Sequence, residues 1–452
     1  MTVSTRPAPG PPRAFQFPRF ERAELPNGLR IIVAPVRKLP VVTVLAVIDA
    51  GATADSPGRE GLAQLTAEAL REGTANHDGI QILEGFEKLG SSLEAGADWD
   101  STVVSMTLLR DKLESGLSLM TEVLTSPLFP EGEVERLKAE RLAERAQILA
   151  EPRGLADESF SKFLYSEGSR YGEPMAGTSA SVSAITRTDV ADFFRSRYTP
   201  DAVTVIVVGD ISAEDAVKLV STTLGEWKGK RGSRAVSPST QTRRSRAVEI
   251  VAKDDAAQAE LRLGHIGIPR SHPDYFSVVV MNALLGGLFS SRINLNLRER
   301  HGYTYGASSY FDWRRDPGPF MIATAVQSEV SAAAIRETLK EIDGMRSDEV
   351  PEDELSLATN YLDGVFPIRY ETTSSIASAL ATLVVFGLPE NYYDTYRENI
   401  RAVRPSDVLR AAQAHVSPDM LQVVVVGDPA LVKEPVENLA LGEVSVRPAT
   451  EA

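Results

Sequence analysis

Two apolar stretches lie about half a chain apart, and a similar helix-and-turn pattern precedes both. The stretch ITRTDVADFFRSRYTPDAVTVIVVGD ends at Asp210, and VRPSDVLRAAQAHVSPDMLQVVVVGD ends at Asp428. They align without a gap at an offset of 218 residues (428 minus 210). Each predicts a helix, a Thr/Ser-Pro-Asp turn and a strand that is apolar on both faces. Because the offset is close to half of the 452 residues, the pattern predicts two homologous halves.

Each half also begins with a strand pattern. The stretch LPNGLRIIVAPVRKLPVVTVLAVIDAG predicts two strands, with the first turn at Asn27-Gly28. AQAELRLGHIGIPR matches it in the second half. The predicted fold class is therefore α+β, with halves at 20–227 and 247–440, each a mostly antiparallel sheet covered by helices on one side.

Three segments lie outside these halves. The proline-rich residues 1–19 predict a disordered N-terminal tail, and 441–452 are assigned to a C-terminal tail. Residues 228–246 contain seven basic residues, no acidic residue and no aromatic residue. This composition favours a solvated linker over a nucleic-acid or membrane patch.

The overall charge narrows the possible partners. The chain has 48 basic and 62 acidic residues, a net charge of −14, which argues against nucleic-acid binding. The N-terminus lacks the apolar core of a signal peptide, and no run approaches the length of a membrane span. The absence of cysteine fits a reducing compartment without excluding the periplasm. We therefore expect a cytoplasmic protein without a membrane segment.

The stretch GLAQLTAEALREGT, residues 61–74, predicts an amphipathic helix. Gln64 and Glu68 lie four residues apart on one face, the spacing at which two histidines hold a metal. The chain has five histidines, at positions 77, 265, 272, 301 and 415, and no two are four apart. A helical histidine pair is thus excluded, whereas a pair assembled by tertiary contact stays open.

Several blocks occur in a characteristic order: LPNGLRIIV, the helix at 61–74, LGSSLEAGADWDSTVVSMTLL, YGEPMAGT and LGGLFSSRINLNLRERHGYTYGASS. Together they resemble the pitrilysin/insulinase family of zinc metallopeptidases, in particular its short bacterial members. The mitochondrial processing peptidase subunits and the core subunits of the respiratory bc1 complex are relatives. The resemblance covers nearly the whole chain after the N-terminal tail.

In that family, the helix at 61–74 carries His-x-x-Glu-His, and a distal Glu completes the zinc site. This sequence has Gln64, Ala67 and Glu68 at those positions, and Glu144 is the best match to the distal Glu. The resemblance therefore implies that the zinc motif is lost, and no metal or other cofactor is expected in this chain. Whether Glu68 and Glu144 bind any other cation stays open.

The resemblance also implies site residues in the second half. Family zinc peptidases supply an Arg and a Tyr, seven residues apart, to the substrate, and LRERHGYTY places Arg298 and Tyr305 at that spacing. Without the family, Arg298 is equally typical of a helix end and Tyr305 of an alternating strand. Gly286 and Gly287 border the family's substrate cavity and are interpreted as hinge or close-packing positions.

The sequence thus predicts the non-zinc subunit of a heterodimeric zinc endopeptidase that acts on peptides or unfolded segments. A homologous partner subunit would hold the zinc, and this chain would be inactive alone. The alternative is a catalytically inactive structural or peptide-binding subunit like the bc1 core proteins. A stand-alone peptidase with a divergent metal site and a homodimeric scaffold are further rivals.

Overall fold

The computed structural model describes residues 14–232, 241, 243–254 and 256–449, and these form two six-stranded sheets with helices around them. The strands of the first half are β1 (Glu21–Glu24), β2 (Arg30–Pro35), β3 (Val41–Ile48), β4 (Glu94–Ala97), β5 (Thr102–Leu109) and β6 (Val203–Gly209). Its helices are α1 (Leu62–Ala69), α2 (Gly79–Lys88), α3 (Leu113–Thr125), α4 (Glu131–Ala150), α5 (Pro152–Leu164), α6 (Ser179–Ala184), α7 (Arg187–Arg197) and α8 (Ala213–Leu224).

The second half has a similar order of elements, except that it begins with two strands and its outermost strand, β12, comes last in the chain. Its strands are β7 (Ala247–Ala252), β8 (Ala259–Ile266), β9 (Ala307–Phe311), β10 (Pro319–Val326), β11 (Gln422–Gly427) and β12 (Glu443–Pro448). Its helices are α9 (Tyr275–Asn282), α10 (Arg292–Asn294), α11 (Ser331–Ser347), α12 (Glu352–Arg369), α13 (Thr373–Phe386), α14 (Tyr392–Ala402), α15 (Pro405–His415) and α16 (Pro429–Glu437). Two π-helical segments, Ala283–Gly287 and Leu295–Arg300, flank α10.

The two sheets have matching strand orders, β1-β2-β6-β3-β5-β4 and β12-β7-β11-β8-β10-β9. The repeated apolar strands are β6 and β11, each parallel to one neighbour, β2 or β7, and antiparallel to the other, β3 or β8. The remaining pairs are antiparallel except β12 with β7. The predicted fold of two homologous α+β halves is confirmed.

The predicted turn at Asn27-Gly28 joins β1 and β2, which pair as antiparallel strands. Gly28 has a φ of 87°, in the left-handed region that a side chain disfavours. The Leu25 and Leu29 backbones close the turn through a 2.8 Å hydrogen bond. This glycine therefore sets where the first sheet begins.

The prediction that helices cover each sheet on one side is wrong, because each half contributes a helix to the other half's sheet. Helix α13 of the second half packs on β3 and β6, and α5 of the first half packs on β8 and β11. Strands β6 and β11 are buried along their whole length, so both of their faces need an apolar cover. The exchange of α5 and α13 supplies it and joins the halves into shared hydrophobic cores.

Both chain ends extend the ordered structure beyond the predicted limits. Phe17, in the predicted N-terminal tail, is 4% exposed and stacks on Tyr393 of α14 with ring centroids 4.6 Å apart. In the predicted C-terminal tail, β12 pairs with β7 at the edge of the second sheet. Burial of an aromatic ring and a strand ladder explain this order. Residues 1–13, 233–240, 242 and 450–452 of the predicted tails and linker lie outside the described residues.

One helical stretch in the described part of the chain, Tyr275–Arg300, has the length and composition of a membrane span. Half of its most apolar window is buried inside the second half. Core helices have the same composition, so this stretch is weak evidence for a membrane segment.

Candidate functional site

A buried carboxylate fixes the N-terminus of α1, the helix that carries positions 64, 67 and 68. Asp55 accepts hydrogen bonds from the Gly61 and Ala63 backbone N–H groups at 2.9 and 2.8 Å. Arg170 donates to the same carboxylate at 2.9 Å. Burial raises the pKa of Asp55, while the Arg170 charge and these hydrogen bonds oppose that shift. The start of α1 is thus held by a satisfied buried network.

The polar face of α1 is occupied by an arginine from α4. Arg141 forms an ion pair with Glu68 on one side and, at 3.1 Å, with Glu144 on the other. Gln64 donates to the Ala97 carbonyl of edge strand β4 at 3.3 Å, and Ala67 is fully buried. The structure therefore brings Glu68 of α1 and Glu144 of α4 together, with a guanidinium between the two carboxylates, while Gln64 faces β4.

In the second half, a glycine lets a π-helical segment touch the edge strand β9. A Cβ added to Gly286 would lie 2.6 Å from the backbone nitrogen of Ser309, far inside van der Waals contact. Asn282 reinforces this contact by donating to the Ser309 carbonyl at 3.0 Å. Gly286 is thus a close-packing position, whereas Gly287 is exposed.

Arg298 lies in the second π-helical segment, Leu295–Arg300. This helix type is rare overall, but where it occurs it is often at a functional site. Its guanidinium carbon lies 4.4 Å from the centroid of the Phe289 ring, which is 71% exposed. Its Nη1 is buried, lies 3.6 Å from the Glu299 carboxylate and has no hydrogen-bond partner among the described residues. The cation is therefore oriented by an aromatic ring.

Tyr305 points into solvent from a loop that buried polar groups hold. Its residue surface is 90% exposed, whereas the preceding Thr304 is buried. The Thr304 hydroxyl accepts hydrogen bonds from Gly306 N and from Thr324 Oγ1 of β10, each at 3.0 Å. The buried threonine therefore holds the loop backbone from which the tyrosine side chain points outward.

Asn294 ties the segment carrying Phe289 to the strand that follows Tyr305. Its Nδ2 donates to the Phe289 carbonyl at 2.6 Å, and its Oδ1 accepts from Ala307 N at 3.1 Å. Phe289, Arg298 and Tyr305 thus project from segments that share buried anchors. We name these three residues the Arg/Tyr surface.

Comparison with known proteins identifies the family. Residues 32–179 match the family model described as Insulinase (Peptidase family M16), and residues 184–362 match Peptidase M16 inactive domain. The chain belongs to peptidase family M16. An M16 inactive domain from Pseudomonas fluorescens has the same fold, with a TM-score of 0.85, 26% identity, and coverage of 90% of this chain and 98% of that one.

Two curated relatives show how M16 proteins resembling this chain are described. The "Uncharacterized zinc protease YmxG" of Bacillus subtilis is 24% identical, over 79% of this chain and 86% of its own length. A "Probable mitochondrial-processing peptidase subunit beta" of Schizosaccharomyces pombe is 26% identical, over 60% of this chain and 59% of its own length. The resemblance read from the sequence is confirmed.

The M16 zinc site does not fit the residues on α1. Gln64 offers an amide instead of an imidazole, and Ala67 offers no general base. The Glu68 carboxylate is already paired with Arg141, whose positive charge would repel a second cation at close range. Glu144 is mostly exposed and bonds the same arginine. No step of zinc chemistry is therefore assigned to this helix.

The structure keeps the two predicted groups apart in this M16 chain. Gln64, Glu68 and Glu144 lie in the first half, and Gly286, Arg298 and Tyr305 lie in the second. Among the described residues, no hydrogen bond or ion pair joins α1 to Arg298 or Tyr305.

Sequence reasoning missed four residues that shape these sites: Arg141, Phe289, Asn294 and Thr304. Arg141 was detectable, since it lies three residues before Glu144 on a helical stretch, where side chains meet. The roles of Asn294 and Thr304 depend on contacts across the sheet and had no local signature.

Proposed function

We propose that this chain is the non-zinc subunit of a heterodimeric zinc endopeptidase, to which it contributes Arg298 and Tyr305. The observation that carries the proposal is the Arg/Tyr surface, where Tyr305 is 90% exposed and Arg298 lies over the exposed ring of Phe289, on segments that Asn294 ties together. A substrate bound to another chain would contact both side chains.

The first half supports the same proposal. Arg141 pairs with both Glu68 and Glu144, so α1 keeps its contact with α4 without the groups that hold zinc. The metal would therefore come from a homologous subunit with an intact His-x-x-Glu-His helix. Alone, this chain would not hydrolyse peptides.

Arg298 and Tyr305 have separate tasks in the proposed reaction. The guanidinium of Arg298 donates to a backbone carbonyl of the substrate and orients the peptide. The hydroxyl of Tyr305 donates to the carbonyl oxygen that becomes negative as the tetrahedral intermediate forms. Both tasks need the side chains to face outward from this subunit, as Tyr305 does.

The names of two relatives support the proposal. YmxG is named a zinc protease, and the yeast relative is named a subunit of a processing peptidase, hence part of a larger assembly. For this chain we propose a zinc-bearing homologous partner in the cytoplasm and a peptide or unfolded segment as substrate. Edge strand β4, beside α1, offers unpaired backbone groups to which an extended peptide can add.

The test is hydrolysis of a quenched-fluorescence peptide by the chain co-purified with its zinc-bearing homologue. Arg298→Ala and Tyr305→Phe should each lower kcat by about 10²–10³, the usual cost of one oxyanion donor. Arg300→Ala and Tyr303→Phe are matched controls, because Arg300 is exposed and Tyr303 stacks on His301 instead of projecting outward. Both controls should keep full activity.

Assembly is measured separately by the mass of the purified complex. A complex that assembles and hydrolyses the peptide equally well with Arg298→Ala or Tyr305→Phe would contradict the catalytic role. That result would favour the alternative, a structural or peptide-binding subunit. Chelator-sensitive hydrolysis by this chain alone would contradict the proposed dependence on a partner.

A further inference from the structure

We infer that His272, Asp274 and His415 form a binding site for one divalent transition metal, with Zn²⁺ as the best fit. His272 and Asp274 precede and cap α9, and His415 ends α15. The site would clamp these two helices of the second half together. It involves neither α1 nor the Arg/Tyr surface, so it stands independently of the proposed function.

The three side chains converge although they are distant in sequence. One ligand atom from each lies within 4.8 Å of the other two, and all three residues are partly buried. His415 Nε2 lies 2.7 Å from Asp274 Oδ2, and the His272 and His415 rings meet edge to face with centroids 4.9 Å apart. The sequence excluded a histidine pair on one helix but not a pair formed by tertiary contact, and His272 and His415 form such a pair.

The donor set selects the metal. Two imidazoles and one carboxylate are the three protein ligands of many zinc sites, with a fourth position for water. Imidazole favours Zn²⁺, Co²⁺, Ni²⁺ and Cu²⁺, whereas Mg²⁺ and Ca²⁺ require more oxygen ligands. Tetrahedral zinc at about 2.0–2.1 Å would place its ligand atoms roughly 3.3 Å apart. Side-chain movements of about an ångström would therefore convert the present contacts into a metal site.

Two neighbouring groups define the limits of the site. Arg410 donates to the other oxygen of Asp274 at 2.9 Å, so it orients the carboxylate but also opposes a second positive charge. His265 lies nearby, but its Nδ1 hydrogen-bonds the Ile266 carbonyl and its Nε2 accepts from Ser417 N. His265 is thus fully used in the fold and is not a ligand, whereas removal of Arg410 should strengthen metal binding.

The test is a titration of the tag-free, chelator-treated full chain with ZnCl₂, followed by calorimetry, and with CoCl₂, followed by visible absorption. One equivalent should bind, with the d–d spectrum of tetrahedral Co²⁺. At 100 times Kd, zinc should raise the thermal midpoint by about 3 °C. His272→Gln should weaken binding at least as much as a lost outer-shell partner, about 10- to 100-fold, and Arg410→Ala should tighten it.

The matched controls are His77→Gln and His301→Gln, which remove histidines paired with Glu122 and Glu337 elsewhere in the fold. Both should retain one equivalent of zinc, and circular dichroism would verify that every variant folds. Absence of stoichiometric binding to the unmodified chain would overturn the proposal. Equal affinity in His272→Gln, or loss of binding in either control, would overturn it as well.

Discussion

Replacement of Thr304 by valine tests whether buried anchors position Tyr305. Valine has nearly the shape of threonine but removes the hydroxyl. That hydroxyl bonds Gly306 N and Thr324 Oγ1 at 3.0 Å each and the Gly306 carbonyl at 2.9 Å. Because the Tyr305 side chain is almost fully exposed, packing gives little other restraint on its direction. The substitution should therefore release the phenol without altering it.

The expected loss of stability and of kcat follows from these contacts. A net hydrogen bond contributes about 1 kcal/mol, and water can replace the lost bond to Gly306 N because Gly306 is exposed. Thr304→Val should thus destabilise the loop by about 1–2 kcal/mol. The loss of kcat can at most equal that of Tyr305→Phe, about 10²–10³, because the phenol hydroxyl is the only group affected.

The assay is a double-mutant cycle on peptide hydrolysis by the assembled complex. Thr304→Val alone should lower kcat, and the double variant with Tyr305→Phe should be no slower than Tyr305→Phe alone. The matched control is Thr338→Val, whose buried hydroxyl donates to the Ala334 carbonyl within α11 at 2.8 Å. The control should lower stability and leave kcat unchanged.

Two results would refute this reasoning. Unchanged kcat in Thr304→Val would mean that Thr304 does not position Tyr305. Effects that multiply in the double variant would mean that Thr304 acts through a group other than the phenol.

Further predictions concern stability and pH. Gly286→Ala should lower the free energy of unfolding by about 1–3 kcal/mol, because its Cβ would collide with the Ser309 backbone. Gly364→Ala, in open space within α12, should instead raise it by about 0.5–1 kcal/mol, and chemical denaturation measures both changes. Burial lowers the pKa of His265 to about 4, so stability should be full above its ordinary pKa of 6.5 and should fall by about 1.4 kcal/mol per pH unit between pH 6.5 and about 4, with no further loss from this group below that. His265→Gln should remove this acid sensitivity in urea titrations, and an unchanged slope would contradict the assignment. Burial alone would raise the pKa of Asp363, but hydrogen bonds from two arginines of α14 lower it. Asp363→Asn should therefore lower the free energy of unfolding by about 3 kcal/mol near neutral pH. In the unmodified chain, the stabilisation should disappear as acid protonates the carboxyl below its ordinary pKa.

Local patterns were sufficient to predict the repeated architecture. The apolar strands that end at Asp210 and Asp428 became β6 and β11, at equivalent places in their sheets. Asn27-Gly28 became the first hairpin turn, because only a residue without a side chain easily adopts its positive φ. These features depend on short-range chemistry, which a single sequence contains.

The exchange of helices between halves had a partial indication in the sequence. Strands apolar on both faces required a second cover, but nothing local shows that α5 and α13 each come from the opposite half. The choice of covering helix depends on packing over long distances along the chain. For the same reason, the order of Phe17 at the chain start depends on Tyr393, far away in sequence.

Part of the candidate site could be predicted from the sequence, and part could not. The missing zinc motif was read directly from Gln64, Ala67 and Glu68, since identity alone determines whether a side chain can bind zinc. The outward direction of Tyr305 was not predictable, because it depends on the hydroxyl of Thr304 meeting β10.

The most direct test of the central claim is kcat for peptide hydrolysis by the zinc-bearing homologue, measured alone, with this chain, and with its Tyr305→Phe variant. The account predicts that the unmodified chain activates the homologue and that the variant assembles equally well with a kcat lower by about 10²–10³. Equal kcat for the two assembled complexes would contradict it.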